Sequence, residues 1–102
     1  MARRREELAP DAHAAFNAFS EAVFQEGELS GMTKQLIAVA VAHTTQCSYC
    51  IRGHTRLAER QGASAEQVME AIWVAAEMRA GGAYAHSAIA LHAIGDDGDA
   101  DT

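Results

Sequence analysis

The sequence predicts an all-α domain, and three observations predict it. Alanine, the residue that loses least on entering a helix, occurs 23 times in 102 residues. Proline occurs only at Pro10, so beyond that point no residue removes a helical amide. β-branched residues never form the sustained alternating run of a half-buried strand. A chain of this length makes one domain with a modest core.

The first helix is expected to start near Pro10, which suits an early helical position, and to end before Gly27. Leu8, Ala12, Phe16, Phe19 and Val23 recur at helical spacing and mark one stripe for burial. After the linker EGELSG, a second helix, TKQLIAVAVAHT from Thr33, is apolar almost all round and should be deeply buried. The third helix carries the cysteines and runs to Gln61, where Gly62 supplies a stop. Ser64-Ala65-Glu66-Gln67 has the form of a capping box. It opens a helix through Val68, Met69, Ile72, Trp73 and Ala76, which Gly81-Gly82 is expected to break. A last helix is expected from about Ala83 to Ile94, ending at Gly95. The organisation is then a partly flexible segment over residues 1–9, a helical domain over 10–95 and a disordered acidic tail over 96–102.

Charge narrows the function. The net charge is −6, and four acids, Asp96, Asp97, Asp99 and Asp101, sit in the tail. The basic run Arg3-Arg4-Arg5 is followed at once by Glu6 and Glu7, so no nucleic-acid footprint is expected. No apolar run reaches the roughly 18 residues of a membrane helix, and none follows the arginines as a secretory signal would require. A cytoplasmic protein is expected. There a close cysteine pair is more often catalytic or metal-binding than a structural staple.

The two cysteines lie in QCSYCIRGH, with His43, Cys47, Cys50 and His54 spaced 4, 3 and 4. On one uninterrupted helix they would share a stripe, which invites zinc. However, eleven steps at helical rise span roughly 16 Å, so a metal site needs a sharp bend at Thr44-Thr45-Gln46. The redox reading needs less. With a helix starting near Cys47, both sulfurs fall in its first turn, where free amides and the helix dipole favour a thiolate. His54, one turn past Cys50, is placed to exchange its proton. Tyr49 reads as packing, His43 as a hydrogen-bonded core histidine, and His13 and His92 as facing solvent or an interface. His86 is open. No G-x-G-x-x-G fingerprint is present, so no nicotinamide cofactor is expected.

LIAVAVAHTTQCSYCIRGH, followed by EAIWVAAEMRAGGAYAHSAIAL, resembles the alkylhydroperoxidase D-like branch of the carboxymuconolactone decarboxylase superfamily, over roughly residues 10 to 94. The resemblance implies an all-helical fold, a CxxC at the start of a central helix, and homo-oligomers that are trimers or hexamers. It implies thiol-dependent peroxide reduction, with Cys50 as the peroxide-attacking thiolate, Cys47 resolving it into a disulfide, and His54 relaying protons. The implied partners are a small peroxide and a thiol, lipoylated or thioredoxin-like reductant. The family pattern places a glutamate twelve residues before the first cysteine, and here that position is Gln35. An amide cannot accept a proton near neutral pH, so the route is cut, or carried by His43 or His86. Three rivals remain at this stage: a decarboxylase-type lyase that needs no redox cysteines, a non-catalytic oligomeric binding module, and a Cys/His metal site.

Overall fold

A computed structural model describes residues 2–95 of the chain. The acidic segment 96–102, expected as a disordered tail, lies outside the described residues. Five helices follow one another: α1 (Ala2–Leu8), α2 (Pro10–Phe24), α3 (Gly31–Thr45), α4 (Ser48–Arg60) and α5 (Ala65–Ala93). The fold is all-α, with no strand among the described residues. Residues 1–9, expected as a partly flexible segment, carry α1. Pro10 then opens α2 from its first turn, where its missing amide costs nothing.

α3 is the hub, with α4 and α5 packed against it and α2 meeting it at one end. Ser30 caps α3 by accepting the Thr33 amide at 3.1 Å, so the helix begins two residues before the expected Thr33. Glu26 accepts the buried Gly31 amide at 3.0 Å. A Cβ at Gly31 would stand 2.5 Å from the Gln61 Oε1 at the far end of α4, so the glycine permits that close approach. Lys34 reaches back to the carbonyls of Val23 and Gln25 at 2.8 and 2.6 Å, tying the C-terminal end of α2 to α3.

Gly62, at φ 99°, ends the α4 region, and the Ser64–Gln67 capping box opens α5 with both reciprocal bonds in place. Gly81-Gly82 does not break the chain: α5 runs unbroken for 29 residues. Each glycine costs a helix interior about 1 kcal/mol relative to alanine. That is too little to stop a helix carrying more than ten helical residues on either side.

Burial is the second correction. Val39 is the largest fully buried side chain, and the rest of the core is alanine: Ala42, Ala58, Ala63 and Ala75. The α2 stripe expected to be buried is exposed, with Phe16 and Phe19 at 67% and 65%. α2 leans on α3 only through its last turn, so the stripe has nothing to face within one chain. α3 is likewise only half buried, since Ile37 and Val41 stand about half exposed.

Candidate active site

The sharp bend that the zinc reading required is present. α3 ends at Gln46, a non-glycine residue in the left-handed region at φ 57°, and the Cys47 amide bonds back to the Ala42 carbonyl at 3.1 Å. This turn delivers Cys47 to the N-cap of α4. The bend does not gather a metal site, because among the described residues no three His, Cys, Asp or Glu side chains come together. His43 instead places Nδ1 2.8 Å from the carbonyl of Val39, on its own helix.

Cys47 caps α4 through sulfur: its Sγ accepts the Cys50 amide at 3.3 Å. Both cysteines are unbonded and half-buried. Contact with the Cys50 thiol holds the Cys47 thiol below its ordinary value, reinforced by the amides of Cys50 and Tyr49. The same contact pushes the Cys50 thiol up, and burial adds to it. Cys47 is therefore the more acidic thiol of the two, whereas the family resemblance gives the attacking role to Cys50. Position separates the two differently. Cys50 lines a cavity of about 420 Å³ and Cys47 does not.

That cavity lies between α2, α3 and α4. Its walls are apolar, with Phe24, Ile37 and Val41 prominent, and its polar groups are Cys50, His54, Thr45 and Lys34. His54 is held on an edge and on a face. Its Nδ1 lies 2.7 Å from Oε1 of Gln35, which is 4% exposed. Its ring stacks on Phe24 at 5.1 Å between centroids, with 26° between planes. A carbonyl oxygen carries no hydrogen, so the ring nitrogen donates.

The structure thus brings together Cys47, Cys50, His54 and Gln35. His86 is exposed on α5, which contributes no residue to the cavity, and Tyr49 projects into solvent at 86% exposure. Sequence reasoning missed Phe24, Lys34 and the cavity walls from α3. The signal for the walls was available in the excess of apolar faces on TKQLIAVAVAHT. Nothing local marks Phe24 as the partner of a ring thirty residues on in the sequence.

An all-helical chain with a CxxC pair at a helix N-cap, and a histidine one turn on, defines a class of small thiol-bearing helical domains. The chain belongs to the carboxymuconolactone decarboxylase family, whose profile matches residues 10–93. It is 66% identical over 77 residues to uncharacterised protein 4 of the cox locus of Paracoccus denitrificans, covering 76% of this chain and 69% of that one. An uncharacterised protein of Cupriavidus necator is 41% identical over 83 residues, covering 79% and 74%. Among solved structures, a protein from Methanobacterium thermoautotrophicum aligns with a TM-score of 0.77 at 39% identity, covering 87% of this chain and 98% of that one. A carboxymuconolactone decarboxylase family protein from Legionella pneumophila, crystallised in its apo form, aligns at 0.72 and 29% identity, covering 74% and 68%.

Proposed function

We propose that the chain is a thiol-dependent peroxidase and disulfide oxidoreductase working through Cys47 and Cys50, slowed by the glutamine at position 35. The observation that carries this reading is the direct contact of the two cysteines at the N-cap of α4, with Cys50 sharing its cavity with His54. The Cys50 thiol passes its proton by way of the His54 ring, which shares its cavity, to the Cys47 thiolate and becomes the nucleophile. Its sulfur attacks the near oxygen of the peroxide O–O bond, that bond breaks, and the alkoxide leaves with the proton from Cys47. The Cys47 thiolate then displaces hydroxide from the Cys50 sulfenic acid. An S–S bond forms, and the hydroxide takes a proton to leave as water. The peroxide is reduced by two electrons and the dithiol oxidised by two. A dithiol reductant of the lipoylated or thioredoxin-like kind returns both electrons by disulfide exchange.

Homo-oligomerisation, as a trimer or hexamer, belongs to the same proposal. The apolar residues exposed on α2 and α5 support it, Trp73 at 67% and Met78 at 64% among them. No helix among the described residues is long and apolar enough to cross a membrane.

The test is peroxide consumption with a dithiol reductant, read beside the intact mass. Oxidant should remove two hydrogens, and reductant should restore them. Cys50→Ser should abolish turnover, and Cys47→Ser should leave Cys50 open to over-oxidation. If both single variants keep the wild-type rate, the dithiol mechanism is wrong. Cysteine-independent turnover of a lactone acid would put the lyase reading in its place.

A further inference from the structure

We infer that Gln35 is a positioning residue whose side-chain carbonyl locks His54 in the Nδ1–H tautomer, leaving Nε2 as the ring's only proton acceptor. The inference deepens the peroxidase reading of this site and rests on it for its consequence, though not for its geometry.

Which nitrogen of a neutral imidazole carries the proton is set by the hydrogen bond that the other atoms around the ring impose. Here Oε1 of Gln35 lies 2.7 Å from Nδ1, within ordinary N–H···O range. Gln35 is 4% exposed, so its side chain is largely withdrawn from solvent. A second constraint acts on the ring face: stacking on Phe24, 5.1 Å away at 26°, fixes the plane in which the ring nitrogens lie. With Nδ1 committed to Gln35, the remaining lone pair is on Nε2, in a ring that lines the same cavity as Cys50.

The amide does this without adding charge. A carboxylate at position 35 would accept the same bond and could also take a proton itself, whereas the amide only fixes which ring nitrogen carries one. The titratable groups sharing the cavity wall with His54 are Cys50 on α4 and Lys34 on α3; α2 presents only Val23 and Phe24, and α5 presents nothing. Lys34 is itself committed to two carbonyls of the α2 end. Gln35 is therefore the group that decides which ring nitrogen is available to take a thiol proton. A bond of this kind biases the tautomer by about tenfold.

The experiment is a two-bond ¹H–¹⁵N spectrum of the imidazole nitrogens in the reduced full-length chain, at a pH where the His54 ring is neutral. His54 should show a protonated Nδ1 and an unprotonated Nε2. Gln35→Glu should keep Nδ1 protonated. Gln35→Leu should release the ring into a mixture of tautomers and slow alkylation of Cys50 severalfold. A wild-type ring protonated on Nε2, or already a mixture, overturns the inference without any variant needing to fold. So does a folded Gln35→Leu protein whose ring stays in the Nδ1–H form. Because the spectrum needs no peroxide, a locked tautomer in a protein inert to peroxide would sink the peroxidase reading and leave the lock standing.

Discussion

Removing Cys47 should change the acidity of Cys50 as well as its partner. The raised Cys50 thiol owes its position first to the Cys47 sulfur, which competes for the same proton. In the wild type, alkylation at Cys47 should therefore begin at lower pH than at Cys50, because the thiolate is the reacting form. In Cys47→Ser that competition is gone, and the pH profile of Cys50 alkylation should move to lower pH. An unmoved profile would show that the two sulfurs titrate independently. Gln35 makes the complementary case. Gln35→Glu keeps an acceptor for His54 and supplies a group able to take a proton, a contribution typically worth about a hundredfold to ten-thousandfold. The rate of peroxide consumption near neutral pH should rise by at least about tenfold. An unchanged rate in the folded variant would remove position 35 from the proton route. At this scale the cysteines and His54 were legible because their spacing on one helix places them together. The Gln35–His54 bond spans 19 positions and crosses from α3 to α4. Spacing within one helix carries no information about it.

The element that arranges the site is the left-handed turn at Gln46. A residue other than glycine pays roughly 1–2 kcal/mol there. Gln46→Gly should accordingly stabilise the folded chain by about 1 kcal/mol in denaturant unfolding. α4 itself senses the redox state. In the reduced form the Cys47 sulfur caps the helix by accepting the Cys50 amide. A sulfur bound into a disulfide is a poorer acceptor than a thiolate, so oxidation should loosen the first turn. Faster exchange of the Cys50 amide in the oxidised protein is the expected sign, and equal rates in both forms would contradict it. The start of α5 was legible because its cap is written as a reciprocal pair, Ser64 with Gln67, whereas the Ser30 cap of α3 was read as part of the linker. Gly81-Gly82 misled because a glycine pair is read locally, while helix continuity depends on the helical residues flanking it on both sides.

The described chain is long and thin, 57 × 35 × 26 Å, with a radius of gyration of 19.0 Å. A compact domain of about 100 residues has a radius nearer 13 Å. The apolar periodicity of α2 was read as a stripe for burial, and in the single chain that stripe stands exposed; a sequence does not say whether a covering surface lies in the same molecule. Sedimentation at micromolar concentration should show an assembly of three or six chains, and a monomer alone would sink that expectation. Trp73→Glu, which puts a charge into the exposed face of α5, should shift the distribution toward single chains. The smallness of the core has a further result. With Val39 as its largest fully buried side chain, a lone chain has little apolar burial to set against the entropy of folding. In the proposed assembly, folding and association would form one equilibrium, governed by mass action. The melting temperature should climb with the logarithm of protein concentration, and dilution alone should unfold the chain and take the paired sulfurs apart with it.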